Sequence, residues 1–414
     1  MKHETEIGIL EELIGQLDRD RNIDAGVSYM VPTNDYVCPD LAEKEWESFF
    51  REHPQFVGLS GDLPKSGSYF TTDAFGTPIL VTRSTDGKFH AFVDACRHRG
   101  VKVSPDERRE SFRFTCPFHS WTYASDGQLV GLPREADFGL VNKSCNGLIE
   151  LPTEEIYGML WVHPQPDGEI DVESLLSGLS EELADWRLGD FVYAGESVID
   201  SKLNWKLAND TFGETYHFQR LHKETLGQIA YGDNLAYETF GRNHRFVFAR
   251  KNIDRLRDRA KKDWKIRGSA NVLYYLFPNV QLSVVDDTVL AIKIYPDPCD
   301  PNRSITRVGV YFEQEAIEKA KSGAANVIGS EDVYKTRVPG DGNAVFSLEA
   351  SVEVFASTIE NEDYLMGETT QKAALSGALK YLRFGRNEPA LHHYHSTFRQ
   401  VLKRPPLQEV RHGN

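Results

Sequence analysis

The sequence predicts an α+β chain in which a small antiparallel β-domain accompanies a larger mixed domain, and three observations carry that reading. At 414 residues the chain exceeds one small core and suits about two domains. Between residues 54 and 165, short runs rich in Val, Phe, Tyr and Ile alternate with Asp-Gly turns. In residues 166–414, strand-like and helical patterns are interleaved.

The N-terminal MKHETEIGILEELIGQLDRD places Ile7, Leu10, Leu13, Ile14 and Leu17 at helical spacing, so residues 1–53 are expected to form a helical segment packed on the larger domain. Glu4, Glu6, Glu11 and Glu12 interrupt any signal-peptide core, and no apolar run approaches the ~18 residues of a membrane span. Five sparse cysteines (Cys38, Cys96, Cys116, Cys145 and Cys299) without an export signal point to a reducing cytoplasm, where thiols stay free for metals. A net charge of −15 argues against nucleic acid as a partner.

In the β-domain, TPILVTR (77–83), KFHAFVDAC (88–96), SFRFTCPF (111–118) and YGMLWVHP (157–164) read as strands, punctuated by STDGK, ASDGQ and PDGE. In the larger domain, 204–222 reads as a helix with Asn204 or Asn209 as N-cap. Strand-like runs follow at 244–250, 271–277, 280–286, 289–295 and 305–313, then a long helical pattern over 346–383. LKRPPLQEVRHGN reads as a surface tail.

The chemistry-bearing pattern is Cys96-x-His98 followed by Cys116-x-x-His119. Thiolate and imidazole together suit zinc or an iron–sulfur centre, and four unrelated buried side chains are the bland alternative. A zinc finger offers both cysteines first and both histidines later, on a helix. One Cys and one His on each loop instead let one iron take both sulfurs and the other both ring nitrogens, the Rieske form of a 2Fe–2S cluster.

CRHRG (96–100) with CPFHSW (116–121) resembles the Rieske domain of the ring-hydroxylating oxygenase α-subunits, as does the lead-in QFVGLSGDLPKSGSYF. Phe118 stands where respiratory Rieske proteins have a disulfide cysteine, and Trp121 where they have a hydroxyl to a bridging sulfur. Fewer hydrogen bonds to the reduced cluster imply a low potential, suited to electrons from NADH.

The best second site is Glu214-x-x-His217-x-x-x-x-His222. On an ideal helix the two histidines lie about 140° apart, so they share an ion only if the helix distorts, as at a π-bulge, or ends between them. Two histidines and a carboxylate make the facial triad of a non-haem ferrous oxygenase. In FASTIENEDYLMGE, Phe355, Ile359 and Met366 mark one helix face on which position 363 falls, so Asp363 sits where a hydrophobe is expected. Periodicity leaves Glu362 about as well placed. The resemblance favours Asp363, followed eight residues later by Gln371.

The resemblance further implies a terminal oxygenase that uses O2 and NADH-derived electrons, through a separate reductase and in some systems a ferredoxin, to hydroxylate a small aromatic or apolar substrate. It implies one 2Fe–2S cluster on Cys96, His98, Cys116 and His119 and one mononuclear iron on His217, His222 and Asp363. The implied architecture is a Rieske domain (54–165) and a catalytic domain (166–414) with a curved antiparallel sheet covered by helices, helix-grip-like, assembled as a homotrimer or with a small β-subunit. Glu214 matches the family's usual Asp, which bridges a Rieske histidine of one subunit to an iron-bound histidine of the next. Glu is shared with members acting on quaternary amines, so a monooxygenase or demethylase of a quaternary amine or methoxy compound is the alternative. Asp210 stands where many members have Asn near the iron, as a distant carboxylate or part of the helix start.

Tyr231, Tyr237, Phe240, Phe246, Phe248, Tyr274, Tyr275 and Phe277 are expected in the pocket walls, where aromatic faces also suit a methylated ammonium group. Arg242, Arg245 and Arg383 are candidate carboxylate anchors. His392, His393 and His395 in FGRNEPALHHYHS are expected in surface or interface roles rather than on metal. No GxGxxG joins a strand to a helix, so nicotinamide and flavin are expected elsewhere. An electron carrier without oxygenase activity and a zinc-stapled binding protein are the readings from other classes.

Overall fold

The computed structural model describes residues 1–105, 108–321 and 348–410. The chain divides into two compact units, one of Glu47–Ser174 with Arg187–Val192, the other of Met1–Trp46, Leu175–Trp186 and Tyr193–Asn414.

The smaller unit is antiparallel β. Ile79–Arg83 pairs with Ser68–Thr72 on one side and Phe89–Val93 on the other, and the second pairing is closed by the Asp86-Gly87 turn. Gly87 holds φ at 81°, a conformation that glycine adopts without a Cβ penalty. A further hairpin joins Arg113–Thr115 to Thr122–Ala124 and then Leu129–Gly131. Tyr69, Leu80, Phe92, Phe114, Trp121 and Tyr123 form one buried cluster that includes Cys96 and Cys116.

The larger unit is built on an antiparallel sheet whose seven strands, among the described residues, are β1 (Phe191–Ser201), β2 (Ala236–Phe240), β3 (Asn243–Ala249), β4 (Ala270–Leu276), β5 (Val280–Val285), β6 (Thr288–Pro296) and β7 (Ser304–Glu313). Their spatial order is β1-β7-β6-β5-β4-β3-β2. Helix α1 (His3–Arg19) buries Leu10, Leu13 and Ile14 as its periodicity predicts, with Ile9 added and Ile7 and Leu17 half-buried.

Two expected helices are shorter than their patterns. The one over 204–222 becomes α2 (Trp205–Asp210), capped by Asn204, whose side chain accepts the Lys206 amide at 3.0 Å. It stops because Thr211, Phe212 and Gly213 favour helix poorly and the Thr211 hydroxyl binds the Ala208 carbonyl at 2.8 Å. The pattern over 346–383 becomes α3 (Leu348–Thr358), a wide π turn (Ile359–Tyr364) and α4 (Leu365–Leu375), with residues 346 and 347 outside the described residues. Gly377, at φ 65°, ends it, and Tyr381–Phe384 is a strand paired with Tyr29–Pro32.

The wide turn also moves Met366 off the inward face; it is 45% exposed, while Gly367, Gln371 and Ala374 are buried. The C-terminal stretch is held rather than loose up to residue 410: Gln408–Glu409 adds to Tyr29–Pro32, Leu407 is buried, and Arg404 reaches Asp35 at 2.7 Å. Helix α5 (Pro389–Val401) buries His392 and His395, which removes the surface half of the expected surface or interface role, because they fall on its apolar side with Leu391, Tyr394 and Phe398.

Candidate metal centres and cavity

The end of α2 at Asp210 releases the chain into a turn, Tyr216–Gln219, that carries His217, with His222 just beyond it. The helix thus ends ahead of both histidines rather than between them, and the two rings lie 5.0 Å apart. A π distortion occurs in the segment bearing Asp363. His217 Nε2 is 3.5 Å from Asp363 Oδ1, and His222 Nε2 is 3.2 Å from the same oxygen. One ligand atom from each of the three residues falls within 4.8 Å of the others. Gly227 lets the following short helix sit on this turn: a Cβ there would come within 2.6 Å of the Phe218 carbonyl oxygen and 2.8 Å of that of His222.

Each histidine turns its other nitrogen to a carboxylate. His217 Nδ1 is bonded to Glu214, whose second oxygen also accepts the His217 amide at 3.2 Å. His222 Nδ1 lies 2.6 Å from Glu362 Oε2. Sequence reasoning weighed Glu362 only as a rival to Asp363; the fold brings both to the histidines. Burial alone would lower His217, yet the neighbouring carboxylates of Asp363 and Glu214 outweigh it and raise its pKa to about 9. Burial likewise opposes the carboxylate of Asp363, and the two histidines reverse it, holding its pKa below the usual range.

The donor set fits a divalent iron. Two imidazoles and one carboxylate converge, and the buried Nε2 of His217 has no hydrogen-bond partner. Asp210 lies outside this trio. Its carboxylate accepts the Tyr36 hydroxyl at 2.8 Å and pairs with His395 Nε2 at 2.9 Å.

In the smaller unit, Cys96 and Cys116 open two loops of the same backbone design. Each cysteine amide binds the carbonyl five residues on (Val101 and Trp121), and each cysteine carbonyl accepts the amide four residues on (Gly100 and Ser120). Both fourth residues have positive φ, 74° at Gly100 and 61° at Ser120. The different spacings, Cys-x-His and Cys-x-x-His, therefore sit on equivalent loops. Both cysteines are buried, His98 is half-buried and His119 is exposed. The two rings are 4.6 Å apart, and His98 stacks on Trp121 at 5.2 Å. Sulfurs inside and ring nitrogens outside is the donor asymmetry that a Rieske cluster requires. All five thiols are free, and Phe118 is 51% exposed. Sequence reasoning missed Tyr123, whose hydroxyl lies 3.3 Å from Cys96 Sγ.

A cavity of about 150 Å³ opens beside His217, His222 and Asp363. Its floor is one face of the sheet, the cross-strand row Phe246, Leu273, Ser283 and Leu290 on β3 to β6. Phe212, Phe218, Phe248 and Phe355 complete the aromatic lining, and Arg250, Asp286 and Asp287 supply charge. Of the aromatics expected in the walls only Phe246 and Phe248 are there. Tyr274 points to the other sheet face, towards Trp186 and Glu182, and Tyr275 packs against Tyr394 further along its strand. None of Arg242, Arg245 and Arg383 lines the cavity. Arg245 is paired with Glu182 and Glu238, and the arginine present, Arg250, is 2.5 Å from Asp286.

Two family models match the chain. Residues 53–148 match the Rieske [2Fe-2S] domain, and residues 188–404 match the ring hydroxylating alpha subunit catalytic domain. The oxygenase subunit of a glycine betaine monooxygenase from Chromohalobacter salexigens is 31% identical over 205 residues, which cover 49% of this chain and only 45% of that protein. A carnitine monooxygenase oxygenase subunit from Escherichia coli K12 is 22% identical over 379 residues, 91% of this chain and 94% of the relative. The fold is shared with a quaternary ammonium Rieske monooxygenase solved with L-carnitine (TM-score 0.71, 18% identity, 92% of this chain and 97% of that one). A naphthalene 1,2-dioxygenase shares it as well (TM-score 0.67, 18% identity, 92% and 94% covered). Because the catalytic-domain match alone takes in more than half of the chain, this protein belongs to the ring-hydroxylating oxygenase α-subunit family, with a Rieske domain ahead of its catalytic domain.

Proposed function

We propose that the chain is the terminal oxygenase of a multicomponent system, receiving NADH-derived electrons from a separate reductase and oxidising an N-methyl group of a small amine. The observation that carries this reading is the convergence of His217, His222 and Asp363 on the edge of an aromatic-lined cavity. Cys96 and Cys116 would hold one iron of the 2Fe–2S cluster, and His98 and His119 the other. The mononuclear iron, when bound, supplies the centre at which dioxygen is activated. Glu214 holds the Nδ1 proton of His217 and offers the route by which an electron from a neighbouring subunit's cluster arrives. Domains over 54–165 and 166–414, with 1–53 as a packing segment, belong to the same proposal.

The amine reading rests on the cavity's charge. Asp286 and Asp287 line it, against the single Arg250 already paired with Asp286, and the phenyl faces of Phe212, Phe218, Phe246, Phe248 and Phe355 suit a methylated ammonium group. Burial pushes the Asp287 carboxyl up, and a cationic substrate would relieve that cost. It also agrees with the alternative drawn from Glu214 and with the named relatives. The second reading, hydroxylation of an aromatic ring, is favoured by the apolar floor of Phe246, Leu273 and Leu290.

Oxygen uptake with a surrogate reductase, run across trimethylammonium compounds, dimethylamines and arenes, decides between them. Formaldehyde released in proportion to oxygen consumed supports N-demethylation, diol formation supports the second reading, and no uptake with both metals loaded sinks the oxygenase. Glu214→Ala is expected to keep both metals and lose nearly all turnover. Full activity in that variant removes Glu214 from the electron path.

A further inference from the structure

Behind His222 lies a second polar arrangement. Glu362 Oε2 is 2.6 Å from His222 Nδ1, and the Thr225 hydroxyl donates to that same oxygen at 2.8 Å. The Glu362 side chain is 12% exposed and that of His222 is 1% exposed, so solvent does not offer His222 a ready substitute. In a regular α-helix, consecutive side chains point about 100° apart, which would keep Glu362 and Asp363 from serving one pair of histidines. The π turn Ile359–Tyr364 widens the local winding, and both carboxylates reach His222, one at each ring nitrogen.

The contact with Glu362 bears on the Nδ1 proton. A carboxylate only accepts, so at 2.6 Å the contact is attractive only if His222 Nδ1 carries the proton. With a neutral ring, Nε2 then turns its lone pair to the side where His217 and Asp363 converge, 3.2 Å from Asp363 Oδ1, a contact that is attractive when a cation lies between the two. The opposite tautomer would set two lone pairs against each other at Glu362. Thr225 supplies a further donor to the loaded oxygen, which keeps the carboxylate in that orientation.

We propose that Glu362, braced by Thr225, is a positioning residue for the mononuclear iron: it holds His222 in the Nδ1-protonated form and sets the ring so that Nε2 meets the ion. This rests on the reading of His217, His222 and Asp363 as the iron site. It is distinct from the role of Glu214, which acts on the other histidine.

The test uses full-length protein with its 2Fe–2S cluster in place and the mononuclear site emptied. Ferrous iron is titrated back anaerobically against a competing chelator, and the EPR spectrum of the nitric oxide adduct reports the ligand field. Glu362→Ala is expected to weaken ferrous iron binding 10- to 100-fold, the range typical of lost partners behind metal-bound histidines, and to change the EPR rhombicity. Glu362→Gln, which still offers an accepting oxygen, is expected to recover part of the affinity, and Thr225→Val to lose a smaller part. The visible spectrum of the 2Fe–2S cluster reports folding, and if the alanine variant does not fold, the other two carry the comparison. Wild-type affinity and spectrum in folded Glu362 variants overturn the role alone. Failure of the wild-type protein to take up ferrous iron overturns the site and this role with it.

Discussion

The Tyr123 hydroxyl receives the Arg97 amide proton at 2.9 Å, which leaves its own proton free to point at Cys96 Sγ, 3.3 Å away. A hydrogen bond to a cluster sulfur stabilises the more negative reduced state and raises the potential. The hydroxyl absent at Trp121 implies a low potential, and Tyr123 is an opposing contribution. Tyr123→Phe is therefore expected to lower the midpoint potential in a redox titration followed by EPR, and an unchanged potential would mean that the hydroxyl donates elsewhere. Local residue identity was legible for Cys96, His98, Cys116 and His119, because their chemistry depends on spacing within two loops. It is half legible for Glu362: periodicity places the acidic pair Glu362 and Asp363 about equally well, and one inward residue per turn forces a choice that the wide turn removes.

Among the elements, strand runs were legible and helix ends were not. The five runs at 244–250, 271–277, 280–286, 289–295 and 305–313 all became strands, because long β-branched and aromatic stretches leave little else to do with the backbone. The helix over 204–222 failed at Thr211, where a side-chain hydroxyl competes for a backbone carbonyl. Cross-strand electrostatics were likewise invisible. Glu196 on β1 meets Arg307 on β7 at 2.9 Å and Lys293 on β6 at 3.1 Å, across two successive strand pairings. Burial raises its pKa, but the two cations overcome this and hold it at about 2, against the ordinary 4.5. A depressed carboxylate contributes stability above its unfolded pKa and loses it as pH falls through the folded value, here between about 4.5 and 2. Linkage puts that contribution at about 3 kcal/mol at most, reduced by the group's partial exposure. Glu196→Gln is expected to lower stability at pH 7 and to flatten the acid limb of the unfolding curve, measured by chemical denaturation across that window. An equal acid slope in both proteins would assign the loss to other carboxylates.

For the whole molecule, the exposed His119 and Phe118 leave the ligand loops open at the surface of the smaller unit, while Glu214 and His217 are only partly covered in the larger one. That pattern suits electron transfer between subunits, and sedimentation analysis of the loaded protein is expected to give three copies of the chain, alone or with a small partner. A monomer at micromolar concentration that turns over fully would refute the assembly. Among the described residues no helix is long and apolar enough to cross a membrane.

By itself the sequence determined the class of chemistry, because metal ligands need particular side chains and the Rieske pair announces itself within 24 residues. It also determined the strands, through their composition. Only the tertiary structure decided which aromatics face the cavity, since strand parity and position along the sheet separate Phe246 from Tyr274 and Tyr275. Only it decided that His222 answers to two carboxylates, since the turn that aims Glu362 and Asp363 together is a departure from the regular winding on which sequence periodicity depends.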